Sequence, residues 1–141
     1  MGKVKAVCIS EKKGTAKNFV SEAEFKENFG IIGDAHAGDW HRQVSLLSYE
    51  TITDFNAKGA NVTDGAFGEN LIIEGLNLTK LRIGSKLKFN EVELELTQIG
   101  KECHTRCAIY HRMSDCIMPK NGVFARVVKG GKMKAGENVH T

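Results

Sequence analysis

The residues best equipped for chemistry crowd into one stretch, 100–119, which reads Gly-Lys-Glu-Cys-His-Thr-Arg-Cys-Ala-Ile-Tyr-His-Arg-Met-Ser-Asp-Cys-Ile-Met-Pro. It holds three of the four cysteines, two of the five histidines and the only proline. A cysteine attacks or ligates as its thiolate, and cationic neighbours favour that form. Cys103, set among Lys101, His104 and Arg106, has such surroundings. Cys107 lies near enough in sequence to act as a resolving partner for it. Free cysteines otherwise mostly pack in cores, and Cys8, in an alternating apolar run, is expected to do so.

A second polar cluster is Gly33-Asp34-Ala35-His36-Ala37-Gly38-Asp39-Trp40-His41. Asp34 and His36 are two residues apart, so an extended chain points them to the same side. A carboxylate and an imidazole on one face could hold a divalent cation, with Asp39 and His41 as further ligands and Glu69 as a base, which defines a hydrolase reading. A zinc reading competes elsewhere, in which Cys103, Cys107 and Cys116 join His104 or His111. It is weakened by the lack of a close cysteine partner for Cys116.

Charge is unevenly spread. The whole chain carries +3, but between residues 100 and 134 eight bases face two acids, a local +6. An anionic partner near the cysteine stretch is one consequence, with Arg112, Arg126 and Lys129 as phosphate clamps. Nucleic acid is not expected as that anion, since aromatics make up only 7% and no finger, recognition-helix or RNA-binding signature is present.

The elements that position these residues follow from periodicity. Val4, Ala6 and Cys8 alternate with Lys3, Lys5 and Val7 as an opening strand with one buried face. Val44 to Leu47 predict a strand, Ser48 a helix N-cap, and Tyr49, Ile52 and Phe55 an apolar helical stripe that ends near Gly59. Glu69 and Asn70 stand at the mouth of a strand over residues 71–74, where they orient a ligand or cap a turn. Residues 81–89 and 92–96 form a hairpin whose second arm, with Val92, Leu94 and Leu96 inward, leads into the cysteine stretch. Residues 123–128 give another strand, and residues 18–28 fit neither period. The expected fold is mostly β with one or two short helices, a barrel of mainly antiparallel strands.

The order Gly33-Asp34-Ala35-His36-Ala37-Gly38, Phe67-Gly68-Glu69-Asn70-Leu71, Ile83-Gly84 and a strand ending in a cysteine loop resembles the MOSC domain, the family named for the C-terminal domain of molybdenum-cofactor sulfurases. The likeness runs from about Val4 to Val139. It implies a β-rich, barrel-like fold, with a cysteine, here Cys103, that carries sulfur as a persulfide or contacts molybdenum. Its glycine-aspartate loop falls on Gly33 and Asp34 and its Gly-Glu-Asn turn on Gly68, Glu69 and Asn70; with His36, Lys101, Arg106, Arg112 and Arg126, singled out by their spacing and charge, these are the residues expected around a molybdenum cofactor, molybdopterin. A cysteine desulfurase or other sulfur donor and molybdenum-cofactor enzymes or biosynthesis proteins are the implied partners. Pyridoxal phosphate enters only by family association, through the desulfurase domain of full sulfurases.

With 141 residues the chain is expected to be one domain, 1–141, large enough to bury about two thirds of its unfolded surface without disulfides. Apolar content of 41% and charged content of 26% are ordinary for a globular chain. No apolar run approaches the roughly 18 residues of a membrane span. The first ten residues lack the apolar core of a signal peptide. A cytoplasmic location, with no membrane partner, is therefore expected.

Overall fold

The structure is a computed structural model that describes residues 2–12, 16–59, 64–100 and 122–141. The stretch holding Cys103, Cys107, Cys116, Lys101, Arg106 and Arg112 lies outside the described residues. Its two neighbours in the chain are described, and they fix where it is attached.

Strand β1 (Gly2–Ile9) begins as its alternation predicts, with Val4 inward and Lys3 and Lys5 exposed. A register shift between Val4 and Ala6, in the pairing with the strand Leu71–Glu74, reverses the facing from there on. Val4 and Val7 consequently enter the larger apolar cluster, while Ala6 and Cys8 join a second cluster with Leu47, Ile72 and Phe124. The expectation of one wet face thus fails in the second half of β1, where Val7 is fully buried. Residues 18–28, ambiguous by period, form β2 (Asn18–Phe19) and β3 (Ala23–Lys26), followed by β4 (Gly30–Ile31).

β5 (Val44–Ser48) is apolar on both faces and leads directly into α1 (Tyr49–Ala57). Ser48 occupies the N-cap position, but its hydroxyl donates to the Leu76 carbonyl (3.3 Å) instead of capping the helix. Ile52 and Phe55 of the stripe are buried over the second cluster. Tyr49 is exposed, with the Lys5 ammonium 4.8 Å from its ring centre. Because the chain crosses over through α1, β6 (Leu71–Glu74) runs parallel to β5, whereas the sheet's other pairings are antiparallel.

The first arm of the expected hairpin is shorter than its pattern. A 3-10 turn at Leu78–Lys80 and a turn through Gly84 precede β7 (Lys86–Lys88), and the second arm is longer, as β8 (Glu93–Ile99). β9 (Val123–Lys129), β10 (Gly131–Met133) and β11 (Asn138–Val139) complete the chain. The main sheet runs β11-β1-β6-β5-β9-β8-β7, with β2 paired beside β1, and β10-β3-β4 form a second sheet of three strands.

The fold is therefore mostly β with one α-helix among the described residues, as expected. The sheet does not close into a barrel with a continuous ladder. Its terminal strands meet at a single bridge, where Lys88 and His140 exchange two backbone hydrogen bonds of 2.7 and 2.9 Å. No helix among the described residues is long and apolar enough to cross a membrane.

Leu94 and Leu96 of β8 are fully buried against β9 and carry the attachment of the cysteine stretch. Leu94→Ala should cost about 3 kcal/mol through lost burial and the cavity left behind. Urea unfolding checks this, and a loss under about 1 kcal/mol would show that this strand is not part of the packed core.

Candidate functional site

Polar side chains gather where β1 ends, around Asp34. Gly30 lies at φ +125°, and a Cβ there would sit 3.0 Å from the Gln43 carbonyl oxygen, so the chain folds tightly back on itself before the 33–42 loop begins. Asp34 is buried, and both of its oxygens are used. Oδ1 accepts from the Ser10 amide (3.1 Å) and from Lys17 Nζ (2.7 Å), and Oδ2 accepts from the His36 amide (3.1 Å). Lys17 is only 2% exposed, and its ammonium also donates to Ser10 Oγ (3.1 Å) and reaches His36 Nδ1 (3.0 Å). An open depression of about 470 Å³ adjoins this knot, lined by Ile9, Ser10, Glu11, Lys12, Ala16 and Asn18.

The network continues along the loop. Trp40 Nε1 donates to the His36 carbonyl (2.7 Å), and the two rings lie nearly parallel, 8° apart with centres separated by 6.3 Å. The Arg42 guanidinium lies 4.9 Å from the Trp40 ring centre and 5.5 Å from that of Phe124, and its buried Nε has no hydrogen-bond partner among the described residues. His41 Nε2 meets Gln98 Oε1 at 2.8 Å, and Thr97 Oγ1 donates to the His41 carbonyl. Gln98 Nε2 in turn donates to the Gly100 carbonyl (2.7 Å). The Gly100 amide donates to the Gly122 carbonyl (2.6 Å), so β8 and β9 are pinned together where the 101–121 stretch leaves and returns.

The structure thus brings Asp34 and His36 together, with Lys17 between them. The remaining described candidates lie apart from that knot. Glu69 is fully buried and accepts from the Gly65 (2.9 Å) and Phe67 (3.0 Å) amides. Burial pushes its carboxyl above the usual range, against the pull of those backbone bonds. Asn70 accepts from the Ser45 amide (3.0 Å) and donates to the Cys8 carbonyl (3.0 Å), which ties β1, β5 and β6 together. Arg126 pairs with Glu95 (2.5 Å) across β9 and β8.

The hydrolase reading is overturned on its ligands. Among the described residues no group of three or more His, Cys, Asp or Glu side chains could hold a metal ion. The physical reason is that an ammonium stands between Asp34 and His36, while His41 turns to Gln98. Sequence reasoning missed Ser10, Lys17, Arg42 and Gln98. Lys17 sits in a run with Lys12 and Lys13 that gives no sign of which lysine is buried. Arg42 did carry a signal, since it follows the only tryptophan by two residues.

This sheet fold recurs in solved proteins of low sequence identity. The YuaD protein from Bacillus subtilis superposes with a TM-score of 0.81 at 20% identity, covering 99% of this chain and 94% of that one. YiiM from Escherichia coli gives 0.67 at 18% identity over 99% and 70% of the two chains, and YiiM from Geobacillus stearothermophilus 0.73 at 17% over 99% and 74%. The chain belongs to the MOSC domain family, whose model matches residues 33–140, from the Asp34 loop to the end of the sheet. That family is associated with molybdenum-cofactor sulfurase-like function. No curated protein matches the sequence.

Cys8 is fully buried, and its thiol is pushed up to about 12 by burial first and then by the charges of Glu69 and Asp64. A raised native pKa contributes stability that is complete below the ordinary thiol value of 9.0 and is lost as pH climbs through about 12. Near pH 8 the thiol stays protonated and shielded. Iodoacetamide should therefore leave Cys8 unmodified in native protein and label it in urea, as read by peptide mass mapping. Native labelling of Cys8 at the rate of an exposed thiol would refute this burial.

Proposed function

We propose that this MOSC domain is a sulfur carrier that binds molybdenum cofactor, with Cys103 as the sulfur-bearing residue. The observation that supports this most is the chain of polar contacts from the Lys17–Asp34 pair through His36, Trp40, His41 and Gln98 to Gly100. It builds the 33–42 loop onto the root of the stretch that contains Cys103. On this reading the Cys103 thiolate attacks the terminal sulfur of a donor persulfide. A sulfur–sulfur bond forms on Cys103, the donor's sulfur–sulfur bond breaks, and the donor leaves as a thiolate. Lys101, His104 and Arg106 favour the attacking thiolate by their charge.

The described residues fit an anionic pterin cofactor at one point in particular. Arg42 has a buried Nε without a partner among the described residues, and its guanidinium is held beside two aromatic rings. A half-buried guanidinium with no carboxylate beside it among the described residues is suited to phosphate, which it can bind in a bidentate manner. Arg126 is the weaker clamp, because Glu95 already holds it. When bound, the cofactor would supply the molybdenum centre that receives or holds sulfur. The protein's part is to orient the phosphate through Arg42 and to present the thiol. A cysteine desulfurase is the chemically suitable donor, and molybdenum-cofactor enzymes or biosynthesis proteins are the suitable recipients.

The test is native mass spectrometry of anaerobically purified protein, before and after incubation with cysteine and a cysteine desulfurase. The expected result is a gain of one sulfur atom that maps to Cys103 and is lost in Cys103→Ser. Arg42→Met should still load sulfur but should retain molybdopterin about tenfold more weakly, the effect of one charge-assisted contact. A bound zinc that engages Cys103, Cys107 and Cys116 and blocks sulfur loading would overturn the proposal.

A further inference from the structure

Lys17 makes three contacts through its ammonium, to Asp34 Oδ1, Ser10 Oγ and His36 Nδ1. An ammonium has three protons to donate and no lone pair to accept with. His36 Nδ1 must therefore be the unprotonated ring nitrogen, and the proton of the neutral ring lies on Nε2. We infer that Lys17 is a positioning residue that fixes His36 as the Nε2–H tautomer, which leaves the ring no lone pair with which to ligate a metal.

The surroundings hold that arrangement from several sides. Asp34 Oδ2 is 3.9 Å from His36 Nδ1, beyond hydrogen-bond reach, and already accepts from the His36 amide. A second proton on the ring would have to displace the Lys17 bond and set two cations about 3 Å apart. Trp40 stacks on the ring and ties the His36 carbonyl, so both the plane of the imidazole and its backbone are restrained. Metal ligation needs a free lone pair. Nδ1 gives its lone pair to Lys17, and Nε2 carries the proton.

Lys17 is itself seated by a third layer. Its amide donates to the Gly65 carbonyl (2.8 Å). Gly65 lies at φ +86°, and a Cβ there would fall 2.0 Å from the Lys17 carbonyl oxygen. The Gly65 amide is held by the buried Glu69 carboxyl (2.9 Å). Glu69 therefore acts on the site at a distance, through the turn that supports Lys17.

Nitrogen-15 NMR of the full-length protein tests the inference. In the wild type, His36 Nδ1 should show the shift of an unprotonated ring nitrogen. Lys17→Met removes the cation and leaves the buried Asp34 carboxylate unpaired, with His36 Nδ1 3.9 Å from its Oδ2 as a replacement partner. Nδ1 should then become protonated in the major population, and Lys17→Arg should restore the unprotonated signal. A protonated Nδ1 in the wild type, or an unchanged Nδ1 in folded Lys17→Met, would overturn the tautomer lock. The wild-type spectrum decides even if Lys17→Met fails to fold.

The tautomer does not rest on the sulfur-carrier reading. Failure of sulfur loading at Cys103 alongside an unprotonated Nδ1 would remove that reading and leave the role of Lys17 intact.

Discussion

The contact on which the candidate site depends is the ion pair between Lys17 and Asp34, 2.7 Å long with both side chains fully buried. Taking two charges out of water is expensive, and such a pair persists only where further hydrogen bonds satisfy both ends. Here they do: the carboxylate takes two backbone amides, and the ammonium takes a hydroxyl and an imidazole. Three separate stretches of chain meet at the pair, namely the end of β1, the residue before β2 and the 33–36 loop. Removing one partner would leave an unpaired buried charge, a loss of about 3–5 kcal/mol. The pair thus restrains both the backbone and the imidazole beside it.

A second polar network works within the sheet. Parallel β5 and β6 meet antiparallel β1 where Asn70 bonds the Ser45 amide on one side and the Cys8 carbonyl on the other. The β1 register shift lies nearby, and it allows one strand to supply Val4 and Val7 to one core and Ala6 and Cys8 to the other. Glu69, the preceding residue, faces the 64–68 turn and supports it with two backbone bonds. Adjacent residues of one motif therefore serve two jobs: Asn70 fixes the sheet, and Glu69 fixes the turn that seats Lys17.

Where a single periodicity governed a stretch, its structure was legible in the sequence. α1 and β8 follow their helical and alternating patterns, and Cys8 packs in a core as its neighbours implied. The register shift in β1 was not legible, because it depends on the partner strand and leaves the spacing of Val4, Ala6 and Cys8 unchanged. Nor was the turn through Gly84, where a left-handed φ of +93° breaks an alternation that reads as strand. In the site, Asp34 and His36 were found by their spacing, but the cation between them was not. Lys17 comes from a lysine-rich loop, and only tertiary packing selects it for burial. The reading of Cys103 with Lys101, Arg106 and Arg112 falls on residues outside those described.

The basic residues near the site divide by what already holds them. Lys17 is tied to Asp34 and Arg126 to Glu95, so each has its charge opposed within the protein. Arg42 touches aromatic faces, which attract a cation without neutralising it. A carrier must grip its cargo and also release it, so a rigid, satisfied cation suits positioning and an unopposed one suits binding. Among the described residues Lys17 has the first character and Arg42 the second. Because the guanidinium packs beside Phe124, next to Val123 at the start of β9, an anion bound there would sit by the strand that receives the chain from the cysteine stretch. On the proposed reading, cargo binding and sulfur presentation would then share one end of the paired strands β8 and β9, with the rest of the sheet as their common rigid support.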